Sequence, residues 1–506
     1  MSSKVNSRSK EVALLFGTFL IAICGLIYQL LESTLSSYLL GDSIYHFSLI
    51  IGLFMSSMGI GSWLSRFIEE NLEGAFVKLQ LLIALLGGFS AFLLFFTFAY
   101  IDNYDAFLYL ITILLGTMLG IEIPLIIRIL KENFSLKTNI SNVFTVDYIG
   151  ALFASLLFPL VLVPKLGLMQ TSFLFGMLNL FVGTMAWYIF RTFLGNRYIV
   201  YIVTVFIILL TGFWQSTKLT SMIENKLYKN NIIYTQQTAY QKIVVTGTKG
   251  RIQFYINGAI QFDSIDEHRY HESLVHPAMM SSKSHNNILI IGGGDGMALR
   301  EVLKYKSVKR VTLVDLDPAI TTLFKENKQL SRFNQHSYND KRVTVVNQDA
   351  WKFVEEAKIL FDVIIVDLPD PNNISLSRLY SQTFYKLLKN KLSKSGVMVT
   401  QASSPLFTRK AFWSIKKSME HTGLYIKAYH TYVPSFGEWG FVLGGNFPID
   451  FEKLKPMKGL KYLNEDVMKR MPLFAPDIAE LKVEPNKLST HKLIEYYDEG
   501  WKIWYE

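Results

Sequence analysis

The chain is almost without cysteine, since Cys24 is its single one and lies inside an apolar run. A disulfide within the chain and a cysteine-based zinc site are therefore excluded. Runs of Lys and Arg interleaved with aromatic residues are also missing, so a nucleic acid is not an expected partner. The first apolar run lacks a small-residue cleavage site and is followed at once by further runs, which predicts a retained helix rather than a signal peptide.

What the chain has in abundance is apolar sequence, which makes up 50% of its 506 residues. Long apolar runs dominate residues 1–217, whereas residues 218–506 have the mixed composition of a soluble α/β protein. A helix that crosses a bilayer needs roughly 20 apolar residues. We therefore predict an α-helical membrane bundle over residues 1–217 with about seven spans, at 12–31, 44–64, 76–100, 106–129, 143–163, 168–190 and 198–214.

The second and fourth predicted spans carry many glycines. Such small residues are typical of closely packed membrane helices, and an internal repeat is the alternative. The glycines concerned are Gly52, Gly59, Gly61, Gly116 and Gly120.

The loop charges and the span count predict opposite orientations. Lys and Arg concentrate in the loops on the side of the N-terminus, and the positive-inside rule puts that side in the cytoplasm. Seven spans would then put residues 218–506 outside, whereas the chemistry inferred below requires them inside. We expect a multi-pass protein of the cell membrane with residues 218–506 in the cytoplasm, although the loop charges argue otherwise.

The charge of the chain is also unevenly divided. Eleven Lys and Arg match eleven Asp and Glu up to residue 217, so the net charge of +10 belongs to the remainder. A basic domain beside a membrane predicts contact with anionic lipid, and a merely solubilising surface is the equal alternative. Inside the predicted spans, Glu122 and Asp147 mark either an ion or substrate path or buried carboxylates bonded to a neighbouring helix.

Residues 230–263 predict a small β-subdomain. Apolar strands flank residues 247–250, and Asn257-Gly258 predicts a second tight turn. Residues 264–447 then alternate strand and helix, with strands at 288–291, 311–314, 343–346, 363–366 and 397–401. This pattern predicts a doubly wound, Rossmann-like parallel sheet of the methyltransferase type. Residues 448–506 form a C-terminal extension to which the sequence assigns no function.

The segment 288–296 is the most informative part of the chain. An apolar strand runs into Gly292-Gly293-Gly294-Asp295-Gly296, and a helical segment follows. A glycine turn between strand and helix brings the backbone close to a bound nucleotide, which assigns Gly292 and Gly294 to the cofactor site. The acid among the glycines predicts a ligand that carries a cation.

Acids also follow the other predicted strands, where a Rossmann-like sheet binds its ligands. Asp315 stands where an acid binds ribose hydroxyls. Asp349 suits a nucleobase edge, with a helix cap as the alternative. Asp367 and Asp370 lie on a loop stiffened by two prolines, and without a histidine partner or a metal triad nearby they predict a polycation site rather than a shared proton.

With these residues, the second half of the chain resembles spermidine synthase, the polyamine aminopropyltransferase family. The whole chain resembles the long bacterial form, in which a multi-span membrane region precedes the synthase domain. The matching segments are 240–243, 266–272, 291–301, 314–318, 362–371, 379–380, 384–385, 401–405 and 434–441.

The resemblance implies transfer of an aminopropyl group from decarboxylated S-adenosylmethionine to putrescine or a related polyamine, without a metal. Asp367 would be catalytic, and Tyr270 would orient the attacking amine. Asp370 and Trp439 would bind the acceptor. The donor site would comprise Gln241, His271, Gly292, Gly294, Asp295, Asp315, Asp349 and Ala350, with Asp367 also facing the donor's amine. A homo-oligomer, either a dimer or a tetramer, stays open.

The sequence departs from the soluble enzymes of the family at two places. Met297 and Ala298 replace a glycine and a polar residue, and Leu368-Pro369 replaces a serine-threonine pair. Both changes put the choice of acceptor in doubt more than the choice of donor. A methyltransferase that uses S-adenosylmethionine and a non-catalytic membrane sensor or transporter of polyamines are the alternatives.

Overall fold

The computed structural model describes residues 2–40, 43–101, 103–131, 136–228 and 230–505. The chain divides into two compact units, Met1–Gln241 and Lys242–Glu506. We call the first the helical unit and the second the α/β unit.

The helical unit is built from long apolar helices that share one core. A short strand, β1 (Ile232–Gln237), follows the last of them. The helices are α1 (Ser2–Leu40), α2 (Ser43–Leu64), α3 (Leu72–Tyr100), α4 (Tyr104–Leu130), α5 (Leu136–Leu157), α6 (Val163–Leu194) and α7 (Arg197–Leu227). Helix α7 runs ten residues past the predicted domain end at 217, because residues 218–227 are polar but still favour a helix.

Six helical runs among the described residues are long and apolar enough to cross a membrane. The predicted spans 143–163 and 168–190 both fall within one of them, Thr138–Leu194. Inside this run the backbone of Gly167 has φ 71° and ψ 178°, which interrupts the helix and which a residue without Cβ adopts easily. The count of seven spans stays a prediction.

Glycines bring helices α2 and α4 into close contact, as the packing interpretation of their small residues predicts. A Cβ on Gly61 would lie 1.9 Å from the carbonyl oxygen of Thr117, and one on Gly120 would lie 2.1 Å from that of Met58. Gly52 and Gly59 have open space beside them, so only part of the glycine pattern serves this contact.

The α/β unit begins with an antiparallel sheet of three strands, β2 (Lys242–Thr248), β3 (Arg251–Ile256) and β4 (Ala259–Asp263). The predicted tight turn joins β3 to β4, with positive φ angles of 49° at Asn257 and 82° at Gly258. These angles at both central residues are those of the hairpin turn that Asn-Gly favours.

A seven-stranded sheet forms the centre of the α/β unit. Its strands are β5 (Asn287–Gly292), β6 (Arg310–Asp315), β7 (Val343–Asn347), β8 (Phe361–Asp367), β9 (Leu392–Gln401), β10 (Tyr425–Val433) and β11 (Gly437–Gly445). They lie in the order β10-β11-β9-β8-β5-β6-β7. The first five contain the five predicted strands, pair in parallel, and confirm the Rossmann-like core.

The prediction of a purely parallel sheet is wrong at one edge. Strand β11 pairs antiparallel with β9, and β10 pairs antiparallel with β11. Only residues 434–436 separate β10 from β11, and so short a connection makes a hairpin, because a parallel crossover needs about a dozen residues.

Helices surround this sheet. Strands β5 and β8 occupy its middle and are buried along their length, so their carboxyl ends meet at one point of the sheet edge. The helices are α8 (Glu267–Ser281), α9 (Met297–Leu303), α10 (Pro318–Glu326), α11 (Ala350–Glu356), α12 (Ile374–Ser377), α13 (Gln382–Lys389), α14 (Arg409–Glu420), α15 (Glu465–Arg470) and α16 (Lys492–Tyr505).

The C-terminal extension packs onto the same core as the sheet. Leu493 of α16 is fully buried within it. Trp413 of α14 donates its indole N–H to the carbonyl of Ile478 at 3.1 Å. The carboxylate of Glu272 accepts three backbone N–H groups of residues 461–463, at 2.8–3.0 Å. The extension is therefore an integral part of the α/β unit.

Candidate active site

The glycine turn after β5 presses directly against the end of β8. The backbone N–H of Gly293 donates to the carbonyl of Asp367 at 2.9 Å. A Cβ on Gly292 would lie 2.1 Å from that same oxygen, so a side chain cannot be accommodated there. The φ angles of 78° at Gly292 and 62° at Gly293 also favour glycine. Glycine is thus needed here to bring the two strand ends together.

Gly294 lies similarly close to the end of β6. A Cβ on it would lie 2.6 Å from the carboxylate of Asp315. Asp315 Oδ1 accepts the backbone N–H of Asp317 at 2.9 Å. Burial raises the pKa of Asp315 to about 7, although that hydrogen bond opposes the shift. A carboxyl held at this strand end suits the ribose role that its position predicts.

Asp295 is buried within the turn. Its Oδ1 accepts the backbone N–H of Met297 at 2.8 Å. Burial raises its pKa, and the nearby charge of His271 works in the opposite direction. The other carboxylate oxygen of Asp295, Oδ2, can accept a hydrogen bond from a ligand with N–H donors. The position of Asp295 therefore agrees with the predicted cation site.

Asp367 and Tyr270 are brought together, as the sequence predicts. The Tyr270 hydroxyl donates to Asp367 Oδ1 at 2.7 Å. Burial raises the pKa of Asp367 to about 6, with His271 opposing the shift and Asp295 adding to it. Asp367 is therefore mostly a carboxylate at neutral pH, yet its pKa is close enough to 7 for it to take up a proton.

A histidine acts on Asp367 although the sequence around Asp367 contains none, and only the resemblance named His271 as a donor-site residue. Helix α8 presents His271 close enough to Asp295 and Asp367 for its charge to act on both. Histidine and acid lie 96 residues apart in the sequence, and helical periodicity alone does not show that α8 packs across the end of β8.

His271 is itself held as a cation. Burial disfavours its charged form, but the hydrogen bond from Nδ1 to Glu267 Oε2 at 2.9 Å and the charge of Asp295 raise its pKa to about 9. Glu267 in turn receives two hydrogen bonds from Arg300, at 3.0 and 2.8 Å. Glu267 and Arg300 fix the imidazolium ring and were not predicted.

Asp370 lies at the other end of the stiffened loop. It accepts hydrogen bonds from the hydroxyls of Ser403, at 3.1 Å, and Tyr497, at 3.0 Å. Burial raises its pKa to about 6. Tyr497 belongs to the C-terminal extension and was missed, because 127 residues separate it from Asp370 and no local motif marks it.

Aromatic residues stand beside Tyr270 on the hairpin of β10 and β11. Phe436 lies between two of them, with its ring centroid 5.7 Å from that of Tyr270 and 5.0 Å from that of Trp439. The indole N–H of Trp439 is buried and has no hydrogen-bond partner among the described residues. Phe436, which the sequence argument did not name, therefore joins Tyr270 and Trp439 in one aromatic cluster.

Asp349 is a helix cap, which the sequence analysis gave as the alternative to a site for the nucleobase. Its Oδ1 accepts the N–H of Lys352 at 3.1 Å and caps α11, and its Oδ2 pairs with Arg378. A role of Asp349 and Ala350 at the adenine stays a prediction. So does that of Gln241, which is the last residue of the helical unit. Within the described residues, no three His, Cys, Asp or Glu side chains group as metal ligands.

The fold and this geometry define a class. A Rossmann-like sheet that gathers carboxylates at the ends of β5, β6 and β8 is typical of an enzyme that acts on a nucleoside. The acids at these strand ends favour ligands that carry positive charge.

Known proteins with the same sequence pattern identify the family. Residues 267–447 match the model of the spermine/spermidine synthase domain. The polyamine aminopropyltransferase of Leptospira interrogans is 44% identical over 97% of this chain and 99% of that protein. Polyamine aminopropyltransferase 2 of Ralstonia nicotianae is 43% identical over 96% and 98%, and the Oceanobacillus iheyensis enzyme is 40% identical over 96% of each chain.

The chain belongs to the polyamine aminopropyltransferase family. The resemblance to spermidine synthase is thereby confirmed, as is the prediction that the protein is an enzyme that transfers aminopropyl groups. Because the relatives match over nearly their whole length, the helical unit is part of the architecture that they share.

Proposed function

We propose that the enzyme transfers the aminopropyl group of decarboxylated S-adenosylmethionine to putrescine or a related polyamine. The products are spermidine, or a longer polyamine, and methylthioadenosine. The amine nitrogen forms a bond to the carbon next to the sulfonium, the carbon–sulfur bond breaks, and its electron pair leaves with sulfur.

Charge around the glycine turn supports this donor. Two carboxyl groups, those of Asp295 and Asp367, lie near a single imidazolium, that of His271. That balance favours the free ammonium of the decarboxylated donor. The carboxylate of ordinary S-adenosylmethionine would meet two acids there, which supports the aminopropyl donor over a methyl donor.

The acceptor is proposed to lie between Asp367 and Asp370. In the part of the chain that the structure describes, Asp370 accepts only from neutral donors, those of Ser403, Tyr497 and Gln401, so its negative charge is free for the distant ammonium of the amine. The rings of Tyr270, Phe436 and Trp439 suit the methylene chain, and their faces also attract cations.

Asp367 is proposed to prepare the nucleophile. An aliphatic amine has a pKa of about 10 and is almost wholly protonated at neutral pH, so it has to lose a proton before it attacks. A carboxylate with a pKa near 6, held by the Tyr270 hydroxyl, can accept or relay that proton. Alignment of the two bound reactants supplies the remaining acceleration.

The observation that carries the proposal is the position of Asp367. Its backbone carbonyl is bonded to the glycine turn that contains Asp295, and its carboxylate accepts the Tyr270 hydroxyl. The test of the proposal is an assay of the purified full chain with putrescine and either donor. We expect methylthioadenosine release with decarboxylated S-adenosylmethionine alone. Methylated putrescine formed from S-adenosylmethionine would instead establish the methyltransferase alternative.

We also propose that the protein is a multi-pass membrane protein with its catalytic domain in the cytoplasm. Six helical runs of spanning length among the described residues, and the basic charge of the remainder, support contact with lipid. A C-terminal tag in intact cells tests the orientation. It should be inaccessible to a membrane-impermeant reagent, and labelling without permeabilisation would contradict a cytoplasmic site.

A further inference from the structure

A short segment, residues 334–338, is bonded to the glycine turn through three side chains. Each side chain donates a hydrogen bond to one of three consecutive backbone carbonyls of the turn. The donor and acceptor pairs are Tyr338 and Gly294 at 2.6 Å, Asn334 and Asp295 at 2.9 Å, and Ser337 and Gly296 at 3.1 Å. All three donor side chains are buried. We call residues 334–338 the clamp segment.

Two of these bonds restrain the direction of the Asp295 side chain. The carbonyls of Gly294 and Asp295 belong to the two peptide units on either side of the Asp295 Cα. A peptide unit is planar, so a hydrogen bond to its carbonyl limits the orientation of the whole unit. With both flanking units held, the φ and ψ angles of Asp295 are restrained, and with them the direction of its Cα–Cβ bond.

The third bond acts on the carboxylate of Asp295. The carbonyl of Gly296 lies in the same peptide unit as the N–H of Met297. That N–H donates to Asp295 Oδ1 at 2.8 Å. The Ser337 hydroxyl therefore holds the peptide unit that holds the carboxylate, and rotation of the carboxylate would break the bond to Met297.

The clamp segment is anchored and has a strained backbone. The Asn334 amide also donates to the carbonyl of Phe324 at 3.1 Å, which ties the glycine turn to helix α10. Gln335 and His336 have φ angles of 54° and 57°, a left-handed conformation that is unfavourable for residues with a Cβ. Strain of this kind persists where the surrounding structure over-determines it, and it is concentrated at functional sites.

We propose that Asn334, Ser337 and Tyr338 are positioning residues that direct the Asp295 carboxylate toward the ammonium of the donor. The proposal rests on the function proposed above, in which the acids at the glycine turn favour that ammonium. A carboxylate whose direction is fixed before binding loses little conformational freedom when the ligand arrives, and this raises the affinity. The clamp segment thus acts on the charged end of the donor rather than on its nucleoside.

Two ligands separate an effect on the ammonium from an effect on the whole site. Decarboxylated S-adenosylmethionine carries the ammonium, whereas methylthioadenosine has the same nucleoside without it. Asp315, the proposed ribose ligand, is held separately by the backbone N–H of Asp317 at 2.9 Å. Loss of a bond between the clamp segment and the turn should therefore weaken binding of the donor far more than binding of methylthioadenosine.

Calorimetric titration of the full chain in lipid nanodiscs, without an acceptor, measures both affinities. Tyr338→Phe and Ser337→Ala each remove one hydroxyl, so the second variant tests the proposal should the first fail to fold. We expect each to weaken binding of the donor about 5-fold and of methylthioadenosine by less than about 2-fold. Tyr305→Phe removes a hydroxyl bonded to His276, away from the turn, and as the matched control it should change neither affinity.

Equal weakening of both ligands would overturn the proposal, because the clamp segment would then support the whole site by packing alone. Unchanged affinity for the donor in a folded variant would also overturn it. A wild type that binds methylthioadenosine but not decarboxylated S-adenosylmethionine would instead contradict the proposed function itself. The two failures are therefore distinguishable.

Discussion

The two units treat their buried carboxylates differently. In the α/β unit, Glu267 is bonded to Arg300 and His271, and Glu301 is bonded to Arg300, His276 and Lys304. Among the described residues of the helical unit, Glu32 has a hydrogen bond only from the Thr112 hydroxyl, and Glu122 only from the amide of Gln80, at 2.5 Å. Cations thus neutralise the first pair, and single neutral donors contact the second.

This difference separates structural carboxylates from those available to ligands. Cationic partners lower the pKa of Glu267 to about 2 although burial opposes the shift, so this side chain holds its neighbours in place. Asp367 and Asp370 have raised pKa values, because burial prevails over their hydrogen bonds. Buried carboxylates with little compensation occur in both units, and in the α/β unit they include the residues proposed above to bind cationic substrates.

The largest effect should come from removing the charge of Asp367. Asp367→Asn keeps the size of the side chain but cannot accept the amine proton, so turnover should fall about 1000-fold. Steady-state release of methylthioadenosine measures it. Asp477→Asn, at an exposed position of the same unit, is the matched control. Turnover of Asp367→Asn within a few-fold of that control would contradict the role of Asp367.

Removing Arg300 would leave Glu267 with His271 as its remaining cationic partner and bring it closer to the weakly compensated carboxylates of the helical unit. Arg300→Gln leaves Glu267 buried without its guanidinium, which should destabilise the α/β unit by about 3 kcal/mol. Thermal unfolding followed by calorimetry checks this. Lys410→Gln breaks a pair with Glu499 in which the two side chains are 50% and 44% exposed, so its transition should move much less. Equal shifts in the two variants would remove the distinction between buried and exposed pairs.

The sequence predicts most of the fold because its signals are local. Five strands of the Rossmann-like core follow from apolar runs of four or five residues, and the hairpin turn follows from Asn257-Gly258. The hairpin of β10 and β11 was missed, because residues 425–445 show no clear alternation of apolar and polar residues. Its position at the sheet edge depends on its pairing with β9, which only the folded structure reveals.

The site was predictable where each residue follows a strand directly. Asp295, Asp315 and Asp367 are identified by that position alone. His271 was named only through the resemblance, and Tyr497 was missed. Both meet the site through contacts between distant segments, so their spacing in the chain carries no signal before folding. Asp349 shows the converse problem, since an acid that precedes a helix predicts a cap and a ligand site equally well.

Tyr270 should have an intermediate effect on turnover. Tyr270→Phe removes the hydroxyl that donates to Asp367, and this loss should lower kcat about 10-fold. The same hydrogen bond lowers the pKa of Asp367, so without it the acid limb of the profile of kcat against pH should move above its position near pH 6. Tyr305→Phe removes a hydroxyl bonded to His276 and should leave the limb in place. An unmoved limb in Tyr270→Phe would mean that the limb reports another group.

The smallest effect should come from Tyr497, which donates to Asp370 from the C-terminal extension. Asp370 resembles Glu32 in having only neutral donors, but in the proposed mechanism it faces the substrate. Tyr497→Phe removes one donor, and KM for the acceptor should rise about 5-fold while kcat stays nearly constant. That donor lowers the pKa of Asp370, so the rise in KM should grow as the pH falls toward 6 and Asp370 becomes protonated. Tyr496→Phe lies on the same helix without a hydrogen bond to Asp370 and serves as the control. If both variants raise KM equally at every pH, the extension acts only by packing, and Asp370 is not where the acceptor's ammonium binds.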